Sequence, residues 1–349
     1  MPSDNNQNKI LRFGVSGSGF MGKTYSEVIT KYLGNAELAG IYGGSRAAQL
    51  SKDYQVKCFQ SLSEMAESKD LDAVIVATPH ALHAEQSLLA ISHGKHVLIE
   101  KPMASSVADC DRIIKAAEDA SVACGISFTQ RSRKCNVVAK DILDSGELGR
   151  ILMIHETHVA PEGIGGLPQW QGTSENLGVL FGHGIHCIDS IRWLTGSEVK
   201  TVYAKVGSIT GKYPVEATSN VLMTLQNGTV ATLACSFETP KPGFPRSQFS
   251  VQITCEKGLI DLDAYGELRV SKAGQPFEVA AVQAPIDWQG KGFLDPVRLE
   301  SYTLHLKDFI SAAQSGTAPS PGGYDGRQAV AIALAAYESS QTGREIILS

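Results

Sequence analysis

Three glycines near the start of the chain have the spacing of a phosphate-binding turn. The segment Gly17-Ser18-Gly19-Phe20-Met21-Gly22 follows the apolar run Ile10 to Val15 and precedes a helical pattern. Glycine permits a tight strand-to-helix turn, and the unpaired N–H groups at the start of the helix attract a pyrophosphate. This placement predicts a dinucleotide site; a plain glycine-rich turn is the alternative.

A lysine follows the apolar run His96 to Ile99, in the segment Glu100-Lys101-Pro102. If that run is a parallel strand, Lys101 stands at its carboxyl end, where doubly wound sheets bind their ligands. Desolvation and a positive nicotinamide ring would lower the pKa of Lys101, so that its amine can take a proton from a substrate hydroxyl as hydride leaves the carbon. The pattern predicts alcohol oxidation; a solvated lysine at a strand end is the alternative.

The end of the second predicted strand bears on the choice of dinucleotide. An NAD site usually has an acidic residue there, which binds the ribose 2′-hydroxyl. The run Glu37 to Tyr42 leads instead into Gly43-Gly44-Ser45-Arg46, which offers a hydroxyl and a guanidinium to a 2′-phosphate. We therefore expect NADP in preference to NAD, although NAD is possible. A solvated Arg46 at the start of the next helix is the alternative.

The elements that must position these residues change in character near residue 125. Before it, β-branched runs alternate with helical patterns, which is typical of parallel βαβ units. Between about residues 199 and 262, apolar and polar residues alternate with period two, which indicates an antiparallel sheet. Helical periodicity returns in Tyr302 to Gln314 and in Asp325 to Gln341. We predict an α/β protein with a doubly wound domain over 1–124, a second α/β domain over 125–300 and a helical segment over 301–349.

Composition and charge exclude several classes of protein. The chain has 349 residues, of which 43% are hydrophobic and 19% charged, as in an ordinary globular protein. Its net charge of −5 gives no general attraction to nucleic acid or anionic lipid. No apolar run approaches a membrane span, no signal sequence is visible, and the seven cysteines form no C-x-x-C pair. We expect a cytoplasmic protein that binds a small molecule.

Two pairs of histidines at a spacing of three residues, His155 with His158 and His183 with His186, could be drawn together into a metal site. Imidazole is a common metal ligand, but no carboxylate or thiolate completes a recognisable set. Nicotinamide chemistry also needs no metal. We therefore expect no metal here.

The order and spacing of these motifs resemble those of the Gfo/Idh/MocA oxidoreductases over nearly the whole chain. Besides the glycine turn, the matching segments are Ala77-Thr78-Pro79 with His83, Gly94-Lys95-His96-Val97 running into Glu100-Lys101-Pro102, Ser145-Gly146-Glu147-Leu148-Gly149, Gly184-Ile185-His186 with Asp189, and Tyr324 to Arg344. The resemblance implies a Rossmann domain followed by an α/β domain with an open, mostly antiparallel sheet. One face of that sheet commonly mediates oligomerisation in the family, so we expect a homodimer or homotetramer.

The resemblance also implies roles for individual residues. Together with Ser45 and Arg46, the residues expected to contact the cofactor are Gly17, Ser18, Gly19, Phe20, Met21, Ala77, Thr78, Pro79, His83, Glu100 and Lys101. His186 matches the histidine that binds substrate hydroxyls and assists proton transfer. The segments that line the substrate cleft in relatives contribute Arg131, His158, Trp170 and Phe181 here. The family commonly has an Asp four residues before the histidine; this chain has Gly182 there, with His183 beside it, which either supplies the missing polar contact or packs in the core.

We expect an NADP-preferring oxidoreductase that moves hydride between the nicotinamide and a secondary alcohol or ketone of a sugar or cyclic polyol, with Lys101 as acid and base. Two alternatives remain. Some relatives oxidise a sugar, eliminate a substituent and re-reduce the product, which gives net glycoside cleavage. Others bind the dinucleotide and only signal, a role that the intact Lys101 argues against.

Overall fold

A six-stranded parallel sheet organises the first of two units in the computed structural model, which describes residues 10–167, 169–173 and 177–348. The strands run in the order β3-β2-β1-β4-β5-β6, the doubly wound order of a Rossmann fold. Every residue of β4 is buried, because central parallel strands are covered on both faces. The predicted Rossmann sheet is confirmed. Its strands are β1 Leu11–Ser16, β2 Ala36–Tyr42, β3 Lys57–Phe59, β4 Ala73–Val76, β5 His96–Ile99 and β6 Cys124–Ile126.

Five helices connect these strands, as the alternating pattern predicts. Two of them begin at a serine that caps the helix: Ser61 accepts from the Glu64 N–H and Ser106 from the Asp109 N–H. The helix after the glycine turn has no such side-chain cap. The helices are α1 Phe20–Tyr32, α2 Ala47–Tyr54, α3 Leu62–Glu67, α4 His83–Ser92 and α5 Val107–Asp119.

A nine-stranded mixed sheet forms the second unit, in the order β14-β13-β12-β11-β7-β10-β9-β8-β15. Its pairs are antiparallel except for β7 with β10. Burial alternates along the strands, since one face packs on helices α6 Lys134–Asp144 and α7 Ile185–Thr195. The strands are β7 Ile151–Val159, β8 Val199–Gly207, β9 Thr218–Leu225, β10 Val230–Ser236, β11 Phe249–Cys255, β12 Gly258–Asp263, β13 Glu267–Lys272, β14 Glu278–Val282 and β15 Ile346–Ile347.

The last two helices are α8 Pro296–Ser315 and α9 Gly323–Thr342, and the two units meet in the chain at residues other than the predicted 124 and 300. The first unit extends to Thr129 and also contains Asp287–Arg327; the second contains Gln130–Ile286 and continues from Gln328. Helix α8 belongs to the first unit because its aromatic residues pack there, with Tyr302 edge-on to Tyr25 and Phe309 against Phe13.

Within the described ranges, no helix combines the length and the apolar character that crossing a bilayer requires.

Candidate active site

The glycine turn between β1 and α1 is closed so tightly that side chains are excluded. Gly17 has a φ of +115°, and a Cβ built there would lie 2.3 Å from the Ala77 carbonyl oxygen. A Cβ on Gly22 would lie 1.8 Å from the Gly17 carbonyl oxygen. Only glycine fits either position, and the turn brings backbone to the point where the predicted pyrophosphate would lie.

The start of α1 is available to an anion. Gly19 precedes the helix and offers no side-chain cap, and the first turn holds no acidic residue. The side chains of Phe20 and Met21 face elsewhere: the Phe20 ring packs on Phe293, and Met21 Sδ lies 3.9 Å from Arg298 Nη2. The contribution of Phe20 and Met21 to an anion site is therefore limited to their backbone N–H groups.

The loop after β2 lies against this turn. The Arg46 N–H donates to Ser18 Oγ at 3.2 Å, and a Cβ on Gly44 would lie 2.6 Å from the same oxygen. Ser45 and Arg46 are exposed. Arg46 Nη2 lies 3.9 Å from the position of a Cβ on Gly19. The structure thus brings both predicted 2′-phosphate ligands next to the glycine turn.

Lys101 follows β5, at the carboxyl end of the parallel sheet. It is half-buried, and its peptide bond to Pro102 is cis. Burial lowers the pKa of Lys101, and the neighbouring Glu100 carboxylate opposes that shift. A lysine with a lowered pKa can gain and lose a proton closer to neutral pH, as general acid–base chemistry requires.

Glu100 is buried, and both carboxylate oxygens have partners within the first unit. Oε1 accepts from the Tyr25 hydroxyl at 2.5 Å, and Oε2 accepts from the Lys101 N–H at 3.2 Å. Burial raises the pKa of Glu100, while the Lys101 charge and these hydrogen bonds lower it. These contacts favour a role in orienting Lys101 over a direct contact with a ribose.

His83 forms a bridge instead of the direct cofactor contact that we expected. Nδ1 lies 2.8 Å from the Pro102 carbonyl oxygen and Nε2 lies 2.8 Å from that of Thr78. The ring is fully buried, so neither nitrogen is presented to a ligand. His83 joins the segment Ala77-Thr78-Pro79, after β4, to the backbone that carries Lys101.

Three predicted histidines lie close together in the second unit, and two of them contact Phe249. The His158 ring stacks on Phe249 with centroids 3.9 Å apart, and the His186 ring meets Phe249 edge-on at 6.2 Å. The His183 ring lies 6.0 Å from that of His158. His158 is buried, whereas His183 and His186 are half-buried. His158 therefore supports the cluster, and His183 and His186 are the members with exposed surface.

The geometry of β7 explains why the four histidines do not form a metal site. Residues three apart on a strand point to opposite faces, so His155 and His158 diverge. His155 Nδ1 instead contacts Thr232 Oγ1 at 2.6 Å. In the part of the chain that the structure describes, no group of three His, Cys, Asp or Glu side chains has metal-binding geometry.

Arg131, a predicted substrate ligand, forms an ion pair with Asp189. Its Nε lies 2.8 Å from Asp189 Oδ2, and its Nη2 lies 2.5 Å from Oδ1. Asp189 is 1% exposed and the Arg131 side chain 10% exposed. The pair anchors α7, the helix that carries His186, to the turn Thr129–Ser132.

Gly182 lies in a π-helical turn, Leu180–Gly184, that leads into α7. Such turns often occur at functional sites, and nothing in the sequence pattern predicts this one. The carboxylate that reaches the turn is Glu216, whose Oε1 accepts from the Leu180 N–H at 2.6 Å and from the Tyr337 hydroxyl at 2.7 Å. Burial raises the pKa of Glu216 to about 7. Glu216 holds the start of the turn, a role different from that of the family's aspartate beside the histidine.

Two further predicted cleft residues differ in their surroundings. Trp170 is half-buried in the turn Gln169–Gly172, beside Gln171, whose Oε1 lies 2.9 Å from His183 Nε2. Phe181 is fully buried, which favours a packing role. Sequence reasoning missed Gln171, Phe249, Tyr25 and Glu216, because none of them belongs to a motif and each acts through a contact distant in sequence.

Comparison with known proteins places this geometry in context. Inositol 2-dehydrogenase of Salmonella typhimurium is 27% identical over 350 residues, covering 97% of this chain and 96% of the relative. The 2,7-anhydro-N-acetylneuraminate hydratase of Escherichia coli is 28% identical over 292 residues, covering 81% of this chain and 76% of the relative. The fold matches that of levoglucosan dehydrogenase in complex with NADH and levoglucosan, with a TM-score of 0.85, 22% identity and coverage of 97% and 99%.

Two family models match most of the chain. The NAD-binding Rossmann-fold model of the GFO/IDH/MocA oxidoreductase family matches residues 11–128, and the C-terminal domain model of the same family matches residues 137–261. Both matches fall on the units described above. The chain belongs to the GFO/IDH/MocA family of NAD-binding oxidoreductases.

Proposed function

We propose that this protein is an NADP-preferring oxidoreductase that acts on a secondary alcohol of a sugar or cyclic polyol, or on the corresponding ketone. The observation that carries the proposal is Lys101: it is half-buried, it has an anionic neighbour, and it follows β5 at the sheet end where ligands bind in doubly wound folds. The glycine turn in the same unit supplies the dinucleotide site.

The residues present fit a bound dinucleotide. The backbone cradle at Gly17 and Gly22 and the uncapped start of α1 would hold the pyrophosphate. Arg46 and Ser45 would bind a 2′-phosphate, and no carboxylate occupies the end of β2 to repel it. When bound, the nicotinamide accepts or donates the hydride.

Side chains of the protein transfer the proton of the substrate hydroxyl. During oxidation, neutral Lys101 takes the proton from the substrate hydroxyl oxygen, and during reduction its ammonium returns a proton to the carbonyl oxygen. In the second unit, the half-buried imidazole of His186 can donate a hydrogen bond to a substrate hydroxyl or accept one from it. Imidazole and aromatic groups next to one another suit a ring that presents several hydroxyls. The substrates named for the inositol and levoglucosan dehydrogenases support this class.

The test is turnover with a defined panel. Purified protein is mixed with NADP⁺ or NAD⁺ and with cyclic polyols, anhydrosugars, aldoses and simple secondary alcohols, and the absorbance of the reduced nicotinamide is followed. The proposal expects reduction of cofactor with at least one ring polyol or sugar, and a higher kcat/KM with NADP⁺. Turnover confined to simple alcohols would contradict the substrate class.

A second candidate function is supported by Gly182 and by the hydratase relative. Gly182 offers no carboxylate, so the set of side chains that can exchange a proton with substrate differs from that of an ordinary dehydrogenase of the family. The E. coli relative is named for the addition of water. In this reading a hydroxyl of the substrate is oxidised, the glycosidic substituent is eliminated, water adds to the resulting double bond, and the carbonyl is reduced again by the hydride taken in the first step. Release of that substituent with no net change in reduced cofactor distinguishes it.

We also propose a homo-oligomer. The face of the nine-stranded sheet opposite α6 and α7 exposes large apolar side chains: Tyr203 on β8, Leu222 on β9, Val230 on β10 and Leu259 on β12. Monomers rarely leave such a surface uncovered. Light scattering after size-exclusion chromatography should give a mass of two or four chains.

A further inference from the structure

Tyr25 makes a contact that no sequence motif accounts for. Tyr25 belongs to α1, and its side chain is fully buried. Its hydroxyl oxygen lies 2.5 Å from Glu100 Oε1 and 2.7 Å from Ser127 Oγ. A carboxylate only accepts hydrogen bonds and a phenol has one proton, so Tyr25 donates to Glu100. The Ser127 hydroxyl is then the donor to the Tyr25 oxygen. The result is a buried chain of hydrogen bonds that ends at the carboxylate beside Lys101.

The two oxygens of Glu100 are held from different directions. Tyr25 holds Oε1, and the Lys101 N–H holds Oε2 at 3.2 Å. Glu100 is 6% exposed, so water contributes little to stabilising its charge. Burial raises the pKa of Glu100; the donors on its oxygens act in the opposite direction and favour the anion.

Other charged and titratable groups face this pair from the surrounding helices. From α8, the positive charge of Arg298 stabilises the Glu100 anion, and its Nη2 donates to the Tyr302 hydroxyl at 2.9 Å. From α4, His83 lies near Lys101, but burial lowers the pKa of His83 and favours its neutral form. Glu100 is therefore the negative charge that acts on Lys101 in this set.

We propose that Tyr25 is a positioning residue of the oxidoreductase: by donating to Glu100, it keeps an anionic carboxylate against Lys101 and so sets the pH range over which Lys101 exchanges a proton with substrate. This inference rests on the proposed role of Lys101. Tyr25 touches neither substrate nor cofactor in this account and acts through Glu100.

Replacing Tyr25 with Phe tests the coupling with the ring volume kept. A buried carboxylate that loses a donor binds a proton more readily, because burial already disfavours its anion. Neutral Glu100 no longer stabilises the Lys101 ammonium, so Lys101 loses its proton at lower pH. Alcohol oxidation requires neutral lysine; hence the acidic limb of the kcat/KM profile should move to lower pH by about half a unit to one unit.

Tyr54→Phe is the matched control. Tyr54 also donates its phenol proton to a carboxylate, Glu27 Oε2 at 2.7 Å, in the same unit and without touching Glu100. In Tyr54→Phe, the acidic limb of the kcat/KM profile should stay at the wild-type pH. In Ser127→Ala, the acidic limb should shift to lower pH, as in Tyr25→Phe, but by less. An unmoved limb in Tyr25→Phe, a shift to higher pH, or an equal shift in Tyr54→Phe would overturn the proposal.

A second readout separates this inference from the proposed function. The rate at which a small anhydride acylates Lys101, quantified across pH by peptide mass spectrometry, reports the titration of Lys101 without any turnover. We expect the same downward shift in Tyr25→Phe. If that shift appears while no alcohol is oxidised, the coupling stands and the proposed function fails. If turnover occurs and neither profile moves, the function stands and the role of Tyr25 is wrong.

Discussion

The backbone N–H of Arg46 donates to the hydroxyl of Ser18 at 3.2 Å, which ties the loop after β2 to the glycine turn after β1. In a Rossmann fold the first turn meets the pyrophosphate and the end of the second strand meets the adenosine ribose. The contact therefore holds the loop that carries Arg46 against the glycine turn.

The first prediction concerns cofactor preference. NADP(H) should bind at least about tenfold tighter than NAD(H), because the guanidinium of Arg46 and the hydroxyl of Ser45 can both bind the 2′-phosphate. Arg46→Ala should remove most of that difference and leave the affinity for NAD(H) nearly unchanged. Calorimetric titration of both proteins with both cofactors measures it. Equal affinities in the wild type would show that the loop binds an unmodified ribose.

The second prediction separates the two half-buried histidines. His186→Ala should lower kcat/KM by at least about tenfold, the scale of a lost hydrogen bond to substrate or a lost proton-transfer group. His183 Nε2 is already in contact with Gln171 Oε1, so His183→Ala and Gln171→Ala should have similar and small effects. Steady-state kinetics of the three variants decide. A large loss confined to His183→Ala would mean that His183 is the substrate ligand.

The third prediction concerns Arg131. A structural role would change the free energy of unfolding when Arg131 is replaced, whereas a role as substrate ligand would change KM. Arg131→Met should lower the free energy of unfolding by about 3 kcal/mol, because it leaves the buried Asp189 without its main partner. Arg192 Nη1, 3.9 Å from the same carboxylate, limits the loss. Lys115→Met at the exposed Lys115–Asp119 pair is the control and should leave the free energy of unfolding nearly unchanged. Unchanged stability with a raised KM would restore Arg131 as a substrate ligand.

A fourth prediction follows from Glu156, which is buried on β7. Burial raises its pKa from the ordinary 4.5 to about 8, and Asp189 adds to the shift, while hydrogen bonds from Cys187 and Ser190 oppose it. A carboxyl whose pKa is higher in the folded state stabilises the fold fully below pH 4.5, and that contribution is lost as pH rises through about 8.

Glu156→Gln removes this dependence and keeps the shape of the side chain. The variant should therefore gain stability relative to wild type between about pH 5 and about pH 9, by a few kcal/mol at most. Urea unfolding of both proteins at the two pH values measures it. A difference between wild type and variant that is the same at both values would contradict the raised pKa.

Much of the fold could be predicted because its signals are local. The run His96 to Ile99 coincides with β5, and the run Glu37 to Tyr42 is one residue shorter than β2, since each is a short apolar run beside turn residues. Strand β7 was missed: it lies at the centre of the second sheet and pairs with β10 and β11, which are remote in the chain. The start of α8 was placed too late, because its cap is Asp295 and its first turn holds a proline.

In the candidate site too, features of local motifs could be predicted, and contacts between residues distant in sequence could not. The glycine turn and Lys101 belong to contiguous motifs, so the sequence predicts them. The contacts that assign roles to their neighbours do not: Tyr25 and Glu100 are 75 residues apart, and Arg131 and Asp189 are 58 apart. Ion pairs and buried hydrogen bonds depend on how elements pack, so the contacts of Arg131 with Asp189 and of His83 with backbone carbonyl groups are not visible in the sequence.

The hydride-transfer rate of Lys101→Met tests the proposed acid–base role of Lys101 most directly. It is measured as the reduced nicotinamide formed in a single turnover with the best polyol or sugar substrate. Methionine keeps the length of the side chain and removes the ionisable amine. If Lys101 is the acid and base, the rate should be at least about 100-fold below wild type with cofactor affinity retained. A rate close to wild type would remove Lys101 from the mechanism and contradict the proposed chemistry.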